Sequence, residues 1–130
     1  MDVLLSIKPK YVKSIIEGEK RYEFRKTIFK NREINRIYIY SSSPVKKIVA
    51  SFVMGSILED HPYDLWDTVR EYAGINDRDF FAYFKGKSRA FAIEIQNLRE
   101  LPNPIDPYET MPGFVPPQSY CYVKGMPIAV

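Results

Sequence analysis

One eight-residue stretch, Gly18-Glu19-Lys20-Arg21-Tyr22-Glu23-Phe24-Arg25, obliges this chain to turn from helix to strand within a few residues. Upstream, Tyr11, Val12, Ile15 and Ile16 recur at helical spacing; downstream, Arg21, Glu23 and Arg25 alternate with Tyr22 and Phe24. Gly18 marks the helix end, where a left-handed backbone costs glycine nothing. Successive strand side chains point to opposite faces, so the pattern predicts Arg21, Glu23 and Arg25 on one face and Tyr22 and Phe24 on the core face. Lys20 stands at the mouth of that strand. Glu23 is then held ionised between arginines, in a polar cluster on a rigid element. The same alternation also fits an exposed ladder of ion pairs, which is what most charged strand faces are.

Around this point the chain reads as mixed α+β. Short apolar or alternating runs predict strands at 3–7, 21–25, 34–40, 47–58, 89–98 and 119–123, with a kink or bulge near Gly55. Helical spacing predicts a helix from Lys8-Pro9 to about Glu19. It predicts a second at 62–73, with Leu65, Trp66, Val69 and Tyr72 on one stripe, and a third at 77–84 capped near Asn76 or Asp77. Residues 102–117 hold six of the ten prolines and read as an extended loop. Five or six strands with two or three helices, without regular β-α-β alternation, form one domain over residues 1–130. Antiparallel strands curling on themselves would protect their edges. Tyr22, Phe24, Ile37, Ile39, Phe52, Phe91 and Ile93 are the expected core. Tyr38 and Tyr40 share a face that is either core or a stacking surface.

Composition narrows the function classes. With 45% hydrophobic residues in 130, the chain can bury a working core unaided. No apolar run approaches the roughly 20 residues of a membrane span, and the N-terminus lacks a signal-peptide pattern. A single cysteine, Cys121, forms no internal disulfide, which suits the cytoplasm, and its setting between Tyr120 and Tyr122 suits a small strand side chain. The net charge of +3 is unevenly placed: residues 1–50 carry twelve Lys/Arg against five Asp/Glu (+7), and residues 51–130 carry seven against eleven (−4). The basic part contains the eight-residue stretch. It is either a footprint for a phosphate-bearing partner or the solvated face of a helix and loop.

Other chemistry is sparse. The lone histidine, His61, precedes Pro62 at a helix start and reads as a turn residue; no zinc site can be assembled by spacing, and no metal or cofactor is expected. There is no Gly-rich phosphate loop and no nucleophile elbow around Ser41-Ser42-Ser43. Those serines, with Lys46 beyond them, and Gln118-Ser119 after Pro116-Pro117, lie in turns able to offer hydroxyl, amide and ammonium groups to a phosphate or base edge. Trp66 and Tyr72 read as core.

The stretch GEKRYEFR resembles the G-x-K-x-x-E-x-R signature of ASCH domains, of the PUA-like superfamily, at Gly18, Lys20, Glu23 and Arg25. The opening LLSIKPKYVKSIIEGEKRYEFRK, the segment IYIYSSSPVKKIVASF, the LW-containing helix and the closing PPQSYCYV are similar to single-domain members, and to the PUA-like part of predicted transcriptional regulators. The resemblance implies a PUA-like, mostly antiparallel β-barrel. It also implies a regulatory domain binding RNA or a nucleotide-like ligand in a cleft beside the motif, with Lys20, Glu23, Arg25, Ser41, Ser42, Ser43, Lys46, Gln118 and Ser119 as candidate contacts. Some members instead hydrolyse the amide of N4-acylated cytidine through the motif lysine and a threonine. Here Glu23 stands at that threonine's place, so an enzyme would rest on Lys20 and Glu23. A protein-interaction role for the 102–117 loop is the third reading.

Overall fold

The computed structural model of the protein describes residues 1–31 and 33–124. The strands are β1 (Asp2–Ile7), β2 (Tyr22–Arg25), β3 (Arg36–Ser41), β4 (Lys47–Asp60), β5 (Ala90–Ile105) and β6 (Tyr120–Val123). The helices are α1 (Pro9–Ile16), α2 (Pro62–Val69, prolonged by a 3-10 turn at Arg70–Tyr72), α3 (Asp77–Tyr83) and the single turn α4 (Pro107–Thr110). The strands form one curled sheet in the order β2-β5-β4-β3-β1-β6, antiparallel throughout except for the β1–β3 pair. This is an α+β half-barrel with helices, and among the described residues no helix is long and apolar enough to cross a membrane.

Local chemistry explains the helix ends. Pro9 opens α1, whose missing N–H is no loss in a first turn. Gly18 closes it at φ +82°, with the N–H groups of Glu19 and Lys20 donating to the Ser14 carbonyl. His61 Nδ1 accepts from the Tyr63 N–H at the start of α2, and Asn76 caps α3 by accepting from Asp79. β4 and β5 are long enough to serve two layers because register shifts, one of them between Met54 and Ile57, bend them. One face of these strands contributes Ala50, Phe52 and Ile93 to an interior core with Val3, Leu5, Ile37 and Ile39. The opposite face contributes Ala90 and Ala92 to a second core, with Phe24, under Leu65, Val69, Phe80 and Phe84 of α2 and the α3 region.

Several expectations shift. Residues 102–105 are the end of β5, not loop; β2 covers only the 91–94 part of its other edge, so Pro102 and Pro104 remove no ladder bond there. Tyr38 and Tyr40 are core, packed with Leu4, Ile48 and Leu101 under the 102–117 segment. Phe24, Ile37, Ile39, Phe52 and Ile93 are buried, but Tyr22, at the start of the edge strand β2, and Phe91, paired with Arg25 at its other end, are half-exposed.

The two edges of the sheet, β2 and β6, are joined by a side chain. Arg25 on β2 donates from Nη1 to the Ser119 carbonyl and hydroxyl, both at 3.3 Å, and from Nη2 to the Ser6 carbonyl at 3.1 Å. Ser6 and Ser119 are themselves linked, N–H to carbonyl at 3.3 Å. Phe29 plugs the same gap against Tyr120, their rings 5.5 Å apart.

Two outcomes follow from this arrangement. Phe24→Ala removes a ring packed edge-on against Phe80 at 5.1 Å and should destabilise the fold by about 3–5 kcal/mol; an unchanged melt would show that β2 presents its other face to the core. Arg25→Met leaves the Glu23 carboxylate buried with one distant cation and should cost about 3–5 kcal/mol in urea unfolding. Adding Glu23→Gln should recover part of that loss, and no recovery would show that the seam contacts, not the charge pair, carry it.

Candidate functional site

Alternation on β2 places Glu23 and Arg25 toward the barrel and Phe24 toward the helices. Arg21 does not join them. The β2 ladder begins at Tyr22, while residues 20 and 21 pair with the segment after α2: Lys20 bridges Ala73, and the Arg21 N–H donates to the Tyr72 carbonyl at 2.8 Å. Arg21 is exposed and stacks its guanidinium 4.0 Å above the Tyr72 ring. Glu23 is therefore held between Arg25 and Lys20, not between two arginines.

The cluster is buried: Lys20, Glu23 and Arg25 are 3%, 7% and 8% exposed. Glu23 Oε2 accepts from Arg25 Nη2 at 2.8 Å, and Oε1 lies 3.9 Å from Lys20 Nζ. Nζ donates to the Ala73 carbonyl at 3.0 Å and sits 4.2 Å from the centre of the Phe24 ring. An ammonium has three donors, so one good hydrogen bond leaves Lys20 with capacity to spare. Arg25 has almost none: both terminal nitrogens are engaged, and its buried Nε has no partner among the described residues.

Burial dominates the electrostatics of Lys20. Loss of hydration pushes its pKa down from 10.5 to about 8, against the opposing attraction of Glu23 and with a smaller push from Arg25. Desolvation outweighs the attraction of Glu23 because the ammonium has a single carboxylate at long range, 3.9 Å.

These side chains form one wall of a cavity of about 560 Å³. Lys8, Lys10, Lys20 and Arg25 set four cations against Glu23 and Asp79, and Tyr11, Phe24 and Tyr83 add aromatic surface. Gln118 lies on the rim, and Ser119 reaches the site through Arg25. The expected convergence fails for Ser41, Ser42, Ser43 and Lys46, none of which lines the cavity. Ser41 is buried in the ladder opposite Ile7 and Lys47, Ser42 donates its N–H to the Ile7 carbonyl, and Ser43 and Lys46 face solvent. The hydroxyl run serves the turn. Thr27 is exposed and also outside the lining. Burial pushes the Cys121 thiol up, as befits a strand side chain.

Sequence reading missed Tyr11, Tyr83, Lys8, Lys10 and Asp79 as lining residues. Tyr11 looked like part of an apolar stripe, and α3 carried no motif. The one available signal was that Lys8, Lys10 and Tyr11 sit in the first turn of a helix that returns directly to the motif. Among the described residues no group of three or more His, Cys, Asp or Glu is placed to hold a metal ion.

The family model of the ASCH domain matches residues 5–105. An ASCH domain-containing ribonuclease of Zymomonas mobilis is 27% identical over 125 residues, covering 95% of this chain and 84% of that protein. The large ribosomal subunit protein uL22 of Ureaplasma parvum is also 27% identical over 125 residues, but the match covers 94% of this chain and only 39% of that protein. The crystal structure of ASCH from Zymomonas mobilis superposes with a TM-score of 0.87 at 27% identity, covering 95% of this chain and 87% of the other. A variant of it with serine changed to alanine gives the same TM-score at 26% identity, covering 95% and 88%.

The lowered pKa of Lys20 has a signed consequence. Between about 8 and 10.5 the unfolded chain holds a proton that the folded one has released, so the stability linked to Lys20 is complete above 10.5 and falls as pH drops through 8. Comparing melts of the parent and Lys20→Met should show the difference moving in the parent's favour as pH rises across that window. A pH-independent difference would mean that the ammonium is well hydrated.

Proposed function

The chain belongs to the ASCH domain family, and from that premise we propose that the cavity beside Lys20 binds single-stranded RNA, receiving one nucleotide at a time. The observation that carries this reading is a buried ammonium with spare donors on the wall of a cavity that is net basic and partly aromatic. Its size lies in the range of small-ligand pockets, about 300–1,000 Å³, which suits one unstacked nucleotide and not a duplex. Tyr11 and Tyr83 offer stacking faces. Lys20, with Lys8 and Lys10 toward the mouth, meets the phosphate, and Gln118 addresses a base edge. Glu23 orients Lys20 and accepts from a base amine. Arg25 and Ser119 act differently from the expectation: they hold the wall. The ribonuclease relative and the ribosomal relative both point toward RNA.

A second reading, RNA cleavage, is favoured by one specific feature: Lys20 has a pKa of about 8 and lies 3.9 Å from a carboxylate. In that reading Glu23 takes the proton of a ribose 2′-hydroxyl as its oxygen bonds to the adjacent phosphorus. The bond to the 5′-oxygen breaks, and Lys20 supplies that oxygen with a proton. Hydrolysis of an N4-acylated cytidine through a threonine finds less support, since Thr27 stands away from the cavity.

Titrating labelled single-stranded RNA tests the reading. Lys20→Met should weaken binding about tenfold or more and lower the slope of log affinity against log salt by about 0.7. Parent affinity should decline as pH rises through about 8, where Lys20 loses its charge. Lys85→Ala and Lys87→Ala, outside this cavity, should change little; if they matter as much as Lys20, binding is diffuse and the motif is structural. Glu23→Gln should abolish any multiple-turnover cleavage while retaining RNA, and no turnover by the parent would leave binding alone.

A further inference from the structure

The segment Tyr72-Ala73-Gly74, at the end of the 3-10 turn, lies against the motif lysine where it enters the cavity. Three contacts join them. The Arg21 N–H donates to the Tyr72 carbonyl at 2.8 Å, which ties the backbone beside Lys20. Lys20 and Ala73 form an antiparallel bridge, and the Ala73 carbonyl accepts from Lys20 Nζ at 3.0 Å. Gly74 then packs its Cα face against the stem of Lys20. A Cβ at position 74 would stand 2.8 Å from Lys20 Cγ and 2.9 Å from Lys20 Cα, and nearer still to Lys20 Cβ. Carbons not bonded to each other settle at about 3.5–4.0 Å, so no side chain fits without moving the lysine.

We propose that Gly74 is a positioning residue for Lys20: its missing side chain lets the lysine stem lie flat against the 72–74 segment, with the ammonium turned into the buried corner between the Ala73 carbonyl, Glu23 and the Phe24 ring. Any larger residue at 74 lifts the stem and swings the ammonium toward open solvent in the cavity. The position thus sets how far the cation protrudes and how dehydrated it is. Sequence patterning gives no sign of this, because a glycine just after a helical stripe serves equally well to end the helix.

Gly74 also has a positive φ, +62°, so a substitution strains the backbone wherever its side chain points. The protein contains its own control. Gly86 has φ +80°, and a Cβ there meets nothing within 4 Å. Gly86→Ala therefore brings backbone strain without displacing anything, whereas Gly74→Ala brings both.

The readout is the titration of Lys20, followed through its Cε resonance in protein labelled with 13C-lysine and assigned by its absence in Lys20→Met. The parent midpoint lies near 8, and Gly86→Ala should keep it there. Gly74→Ala should move it upward toward 10.5, because the lysine regains water. The other groups facing the ammonium are the same in both variants: Glu23 and Arg25 from β2, Lys10 and Tyr11 from α1, Asp79 and Tyr83 from α3. An unchanged midpoint in folded Gly74→Ala overturns the proposal. If Gly74→Ala does not fold, Lys20→Gly is added: it removes the Cβ and Cγ contacts and leaves the 2.9 Å approach to the Lys20 Cα, so the double variant should fold again, with a melting loss larger than that of Gly86→Ala. Failure of that rescue also overturns it. None of these measurements uses RNA, so they stand apart from the binding reading. If that reading holds as well, Gly74→Ala should weaken RNA binding several-fold and Gly86→Ala should not.

Discussion

The closure of this half-barrel rests on one guanidinium. The sheet ends in two edges, β2 and β6, which no backbone ladder joins among the described residues. Arg25 spans them, and it does so from a strand of only four residues. A guanidinium suits this because its donors are fixed in a plane, so a single side chain can bind the Ser6 and Ser119 carbonyls together with Glu23. Lysine could not, having a point charge and no fork. Burying that charge requires a partner, and Glu23 two residues away on the same face supplies it. The carboxylate's second oxygen then faces Lys20. Seam, counter-charge and cavity wall are one connected unit.

That connection explains why the site combines rigidity with a perturbed cation. Glu23 is nearer to Arg25 than to Lys20, 2.8 Å against 3.9 Å, so most of its compensation goes to the structural charge. Lys20 is left with a carbonyl, an aromatic face and a distant carboxylate, which do not replace its lost hydration. A division of labour results: Arg25 has both terminal nitrogens engaged and holds the fold, while Lys20 is under-compensated and has donors to spare.

The helices contribute by shape more than by charge. α1 leaves β1 and returns to the motif within one short helix, which brings Lys8, Lys10 and Tyr11 to the cavity. α3 and the residue after it present Phe80 and Phe84 to the core beside Phe24, and α3 presents Asp79 and Tyr83 to the cavity. The two faces of β5 serve both, Ile93 toward the barrel interior and Ala90 and Ala92 toward the helices.

How much of this is legible in the chain follows from the range of the forces involved. Helix termination at Gly18, the two-residue alternation through Phe24, the helix starts at His61-Pro62 and near Asn76-Asp77 and the burial of Ile37 and Ile39 depend on neighbours along the chain, so periodicity and local preference determined them. The identity of the motif determined that Lys20, Glu23 and Arg25 belong together. What the alternation could not tell is that Arg21 leaves the cluster, because that depends on Tyr72 and Ala73, some fifty residues on. Nor could it separate Arg25 from Lys20 in role, since the difference lies in Ser6 and Ser119, which only sheet closure brings near. The serines 41–43 looked as promising as Gln118; the turn took them elsewhere. Local order was written in the sequence, and the dehydration of one ammonium was decided only when distant segments closed around it.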